Sequence, residues 1–315
     1  MKRLGLSLIL VALGSLVGAG GCELQSCENE EGESAVCLKS LTRFVGAEIT
    51  PDPLPYAAGT DLTINGNYGN ITVDEGSPGE VSVVIEPFNY RAHDAEEQAR
   101  DEIENNFDYS FEDSGGAIVV TTGRHDATNG LGAAVTVYIP PEFDGAMVLR
   151  NQSDGAVNPG DINVDFVGGA TSVDMSTDSL GDCGVYADGG VLSTTAHCDG
   201  TIVAQFVSDY VDIESTGLEG SIAVTLSSVA GQNAGGSITS EDGNIEVVFP
   251  PGGAFSVQAQ STEDAIVDGE ALDDVCEASA AAETAKSYTC GAGGPNYVVT
   301  AGTDGVGPSG VTLYF

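Results

Sequence analysis

The sequence predicts an all-β protein, a β-solenoid of short stacked strands with one helical insertion near residues 94–106. Three observations predict it. From about Thr60 onward apolar residues alternate with polar or small ones, which is the period of half-buried strands. A Gly-Ser/Thr-Ile motif recurs three times, at Gly200, Gly220 and Gly236, spaced by 20 and then 16 residues. Gly is 43 of 315 residues, about twice the usual share, while Trp is 0 and aromatics are 6%. Turns are therefore abundant and large core anchors scarce.

The first 21 residues read as a secretory signal. Met1-Lys2-Arg3 is basic, Leu4 to Val17 is apolar, and Gly18-Ala19-Gly20-Gly21 leads to Cys22. The apolar stretch is short for a transmembrane span. Small residues before a cysteine resemble a bacterial lipoprotein signal, although Ala19 stands where Leu is usual. That resemblance implies cleavage before Cys22, lipidation of Cys22 and anchoring of the chain to a membrane through the lipid. Ordinary cleavage near Ala19, leaving Cys22 free or paired, is the other reading.

The remaining six cysteines are Cys27, Cys37, Cys183, Cys198, Cys276 and Cys290. Six allow 15 connectivities. Export permits disulfides, and pairing each Cys with its sequence neighbour needs the least rearrangement. Zinc is the competing reading, but no C-x-x-C or other zinc-ligand spacing occurs. Residues 22–57 read as an acidic tether with Pro51, Pro53 and Pro55 favouring extended backbone, and 58–315 as the folded domain.

Within that domain Leu62-Thr-Ile64, Ile71-Thr-Val73, Val81 to Ile85, Val135 to Ile139 and Val311 to Phe315 read as strands. Ala95, Ala99 and Ile103 put a narrow apolar stripe on a helix near 94–106. Glu277 to Lys286, rich in Ala, reads as a second short helix. Residues 135–157 align without gaps to 245–267 as strand, Pro-Pro corner, strand. Gly160-Asp-Ile162 and Gly243-Asn-Ile245 are variants of the shorter motif. A turn glycine before an inward β-branched residue suits rungs that bury their apolar side against neighbours. A two-sheet sandwich is the alternative, since many short strands with regular turns fit it also.

Taken in order, the strand–Gly69-Asn70-Ile71–strand unit, the acidic helical insert after Val81, the Ile139-Pro140-Pro141 and Phe249-Pro250-Pro251 corners and the serial Gly-x-Ile turns resemble the bacterial putative-adhesin family. The resemblance spans roughly 58–270. It implies an envelope β-solenoid of unassigned biochemical activity, brings no catalytic residues, and suggests adhesion by the family's label alone. The last forty or so residues have no counterpart in it.

Asp+Glu number 48 against Lys+Arg 9, a net charge of −39, and two of those bases lie in the signal. Nucleic acid and anionic membrane surfaces are poor partners for such a chain. His93, His125 and His197 lack metal or nucleophile spacing and read as surface residues. Asp161-x-Asn163-x-Asp165 and Asp174-x-Ser176-x-Asp178 each place oxygen side chains on one strand face, which makes calcium the best cation expectation. A solvated polar face is the plainer reading of both. The functional expectation is a non-enzymatic, lipid-anchored protein of the cell envelope, at the outer membrane or cell surface, contacting an extracellular polymer or an envelope protein. A carbohydrate-active β-helix enzyme, marked by Arg124 or Arg150 facing two carboxylates, and a structural spacer are the alternatives.

Overall fold

Alternation with period two dominates the observed backbone. The computed structural model describes residues 22–28, 34–125, 130–152, 160–166, 169–177, 181–187, 193–218, 220–229, 234–262, 266–268, 276–303 and 309–314. For 22–28, 34–40, 166, 218, 267–268 and 278–281 only the backbone is described. The signal segment lies outside these residues, as do the side chains of Cys22, Cys27 and Cys37.

The chain begins with β1 (Cys22–Glu28), β2 (Ser34–Val45) and the two-residue β3 (Leu54–Pro55). Next come β4 (Asp61–Asn67), β5 (Ile71–Glu75) and β6 (Glu80–Ala92). Helix α1 (Glu96–Asn106) precedes β7 (Phe107–Asp113), β8 (Ala117–Arg124) and β9 (Leu131–Ile139). Then follow β10 (Ala146–Gln152), β11 (Ile162–Phe166), β12 (Ser172–Thr177), β13 (Cys183–Ala187) and β14 (Ser193–Cys198). After these lie β15 (Ile202–Ser208), β16 (Tyr210–Leu218), β17 (Ile222–Ser228), β18 (Gly235–Asp242) and β19 (Ile245–Val248). The chain finishes with β20 (Phe255–Ser261), β21 (Val267–Asp268), β22 (Cys276–Ala282), β23 (Ala285–Cys290), β24 (Asn296–Ala301) and β25 (Val311–Tyr314).

These strands form two large mixed sheets, and neither closes on itself. From β10 to β19 successive strands go alternately to the second and the first sheet, and each of β10 to β17 pairs parallel with the strand two places on. One strand from each sheet makes a rung. In the first sheet Val135, Ile71, Ile162, Cys183, Ile202, Ile222, Ile245 and Val311 are successive register partners, all buried. The inner faces of the two sheets meet in one continuous apolar cluster. A single rung has too little apolar surface to stand alone, so stacking supplies its burial.

The Gly-x-Ile motif is the corner of this column. A Cβ on Gly160 would lie 1.8 Å from the Gly69 carbonyl oxygen; on Gly181, 2.6 Å from that of Gly160; on Gly243, 2.4 Å from that of Gly220. Backbone passes so close to backbone that only hydrogen fits. Gly236 is the exception to the expected repeat. Its Ile238 lies in the second sheet opposite Ile213 and Val299, and the true successor of Gly220 is Gly243.

The two Pro-Pro units have a common purpose. β9 runs through Pro140-Pro141 to β10, yet β9 pairs with β5 and β10 with β4. Likewise β19 runs through Pro250-Pro251 to β20, while β19 pairs with β25 and β20 with β24. At both places the chain climbs over a rung contributed from elsewhere in the sequence. Proline has no N–H to offer a ladder, which suits a corner that leaves its own sheet position.

The helix occupies 96–106 and buries Ala99 and Ile103 against the sheet side, with an Arg100–Glu96 pair at 2.9 Å outside. Two other expectations are corrected. Leu41–Val45 pairs antiparallel with β6 and Leu54 pairs with Val81, so this part of the expected tether is sheet. The apolar Phe44 side chain, buried there, is the reason. Residues 277–286 form no helix: β22 and β23 are a hairpin laid antiparallel on β20. The high helix propensity of Ala yields to the Cys276–Cys290 crosslink and to the sheet edge that needs covering.

Candidate functional site

The corner beside the glycine column carries a side-chain ladder. The Asp161 amide donates to Asn70 Oδ1 at 3.1 Å, Asp182 N to Asp161 Oδ1 at 3.1 Å, and Thr201 N to Asp182 Oδ1 at 2.7 Å. From the second sheet Asn151 Nδ2 donates to the Gly69 and Gly160 carbonyls, and Ser215 and Ser240 hydroxyls to those of Gly200 and Gly220. Cys198 stands in register with Ser215, and its disulfide to Cys183 crosses between the sheets inside one rung. Asp161 is thus an element of the fold's stitching.

Asn163 and Asp165 point outward from β11 in the first sheet, whereas Asp174 lies on β12 in the second. The two acidic triplets therefore sit on different faces; Asp178 lies outside the described residues. Among the described residues no group of three or more His, Cys, Asp or Glu converges on a metal position.

The outer face of the second sheet is a row of polar pairs. Arg150 lies 3.9 Å from Asp174, and His197 lies 3.3 Å from Glu214 and 3.9 Å from Asp212. All are roughly half exposed. Among the described residues Arg150 has one carboxylate within ion-pair distance, and Arg124 ends β8. His93 is exposed and His125 approaches Asp108 at 3.9 Å. No constellation of acid, base and nucleophile is assembled by these residues.

The outer face of the first sheet differs. Asp74, Asp165, Tyr186 and Gln205 are successive partners in one outward column, and Thr72, Asn163, Gly184 and Val203 in the next. At β15 the pairing with β17 shifts between Gln205 and Val207, leaving Phe206 as the bulged residue with φ 57°. That left-handed backbone costs a non-glycine residue about 1–3 kcal/mol. It turns the Phe206 ring outward to meet Tyr186 edge-on at 5.4 Å, and both rings are substantially exposed. Sequence reasoning missed this pair, because Gln205-Phe-Val reads as continuing strand.

Each inserted rung carries a buried tyrosine. Tyr68, just after β4, packs on Phe88 and Tyr90, and burial pushes its phenol up to about 12. Tyr297 on β24 packs against Phe249 and donates its hydroxyl to the Asp209 carbonyl at 2.9 Å. Burial pushes it up to about 12 also. Exposed Asp144 accepts from the Tyr56 hydroxyl and from Gly59 N, which holds its carboxyl below the usual value.

Solved structures similar to this chain include bacterial proteins described as putative adhesins. One is a putative cell adhesion protein from Clostridium sporogenes, 8% identical, with a TM-score of 0.36 over 85% of this chain and 99% of that one. Another is a putative adhesin from Bacteroides fragilis, 10% identical, with a TM-score of 0.34 over 85% and 97%. A third, from Parabacteroides distasonis, is 9% identical with a TM-score of 0.29 over 85% and 97%. No family model and no curated protein matches the chain. Among the described residues no helix is long and apolar enough to cross a membrane.

Proposed function

We propose that this chain is a non-enzymatic, lipid-anchored cell-envelope protein whose stacked rungs are the coils of a β-solenoid, displayed for contact with an extracellular polymer or another envelope protein. The supporting observation is the outward face of the first sheet, where side chains recur in straight columns at one rung per step over eight strands. Parallel in-register pairing spaces them by ~4.8 Å, so the column spans on the order of 35 Å. Such a surface engages an extended partner by many weak, repeated contacts. The open position of Arg150, beside one carboxylate, supports display over hydrolysis or elimination chemistry.

The reading is tested by applying the purified chain, with Cys22→Ser, to an array of glycans and matrix proteins. Retention on a polymer that rises with polymer length supports it. Uniform absence of retention removes the adhesive part. Anchoring is tested separately by labelled palmitate in cells, where incorporation is expected to disappear with Cys22→Ser.

A further inference from the structure

Around Gly184 the outer face of the first sheet is indented. The Asn163 amide leans over Gly184, with Oδ1 2.8 Å from where a Cβ would stand, and a shallow depression of about 620 Å³ lies here between Asp74, Asp165, Tyr186 and Gln205. Asp74 and Asp165 lie side by side in register at this depression, and no Lys or Arg is among the described residues that line it. Like charges directly opposed across a strand pair repel. Beside them stand the exposed rings of Tyr186 and Phe206, the latter held out by its bulge. A bulge that re-aims an apolar ring into solvent costs stability and returns none to the interior.

An apolar plane next to two unneutralised carboxylates suits a ligand with a flat apolar face and a positive charge. We propose that the depression over Gly184 binds an amino-sugar glycan with free amines, one sugar face resting on Tyr186 and an ammonium on Asp165. Charge complementarity chooses this occupant: the net charge of −39 attracts polycations and repels uronic or sulfated polymers. The site deepens the display reading given above and rests on it.

The test is calorimetric titration of the Cys22→Ser chain with three soluble probes: glucosamine hexamer, N-acetylglucosamine hexamer and hexalysine. Glucosamine hexamer is expected to bind, and about tenfold more weakly to Tyr186→Ala. Asp165→Asn is expected to weaken it about fivefold and to flatten its salt dependence. Tyr314→Ala, an exposed tyrosine at the far end of the same sheet, should stay within about twofold of the parent. Absence of binding, or binding indifferent to Tyr186→Ala, overturns the site. Equal affinity for the N-acetylated hexamer overturns the role of charge, and equal, Tyr186-dependent affinity for hexalysine overturns the glycan. If glucosamine hexamer fails to bind while the parent chain is retained on other polymers of the array, the site falls and the display reading stands.

Discussion

The α-carbon of Gly160 lies so near the Gly69 carbonyl that a methyl group on it would stand 1.8 Å from the oxygen, although 91 residues separate the two in sequence. This contact joins the inserted rung of β4 and β5 to the rung of β10 and β11. Gly160→Ala must therefore push two backbones apart. We expect a loss of about 3 kcal/mol or more, read as a lower denaturant midpoint. Gly79→Ala is the control: it has a positive φ but nothing near its Cβ, and should cost only about 1 kcal/mol.

Cys183 stands between Ile162 and Ile202 of the neighbouring rungs, and Cys198 stands beside Ser215 of the next one. Reduction alone should cost up to about 3 kcal/mol for a loop of 15 residues. Cys183→Ile with Cys198→Ser places Ile in the column of Ile162 and Ile202, and a hydroxyl where Ser215 bonds its glycine carbonyl. This double variant is expected to melt above the reduced parent. A lower melting temperature would show that the rung tolerates no substitute for the crosslink.

Alkaline pH should unfold the chain through Tyr68 and Tyr297. Both phenols titrate near 12 when folded and near 10 when exposed. The folded state then holds its protons longer, so their contribution is complete below pH 10 and falls as pH rises from 10 to 12. Two units correspond to on the order of 2–3 kcal/mol for each tyrosine. Tyr297→Phe should flatten half of this decline in melting temperature. It also leaves the Asp209 carbonyl without its phenol donor, so its stability at neutral pH is expected to be lower.

Crowded outward acids predict a response to ions. Asp74 beside Asp165, on a chain of net charge −39, should repel less as salt screens them. Raising ionic strength is expected to lift the melting temperature by ~2–4 °C. We propose that calcium or magnesium does so at lower concentration, through the column holding Asp165. A melting temperature unmoved by calcium, magnesium and sodium chloride alike would end this idea.

Much of the fold was legible locally. The strands at Leu62, Ile71, Val81 and Val135, the helix bearing Ala99 and Ile103, and both Pro-Pro corners follow from periodicity and from proline's missing N–H. The disulfides Cys183–Cys198 and Cys276–Cys290 follow from proximity in the chain. For the site, Asn163 and Asp165 were recognisable as outward oxygens, whereas Tyr186 and Phe206 were hidden. No residue pattern announces that a phenylalanine will take a left-handed backbone.

By itself the sequence determined which residues face inward, because alternation is a property of each strand alone. Only the tertiary structure decided which strands are neighbours. β4 and β5 slip between rungs formed 50 or more residues later, and β24 and β25 between rungs formed earlier, because pairing energy depends on matching edges and not on order along the chain. The same long-range choice made a hairpin of an Ala-rich segment, turned Gly236 into the opposite sheet, and brought Asp74 of an early strand beside Asp165, Tyr186 and Phe206.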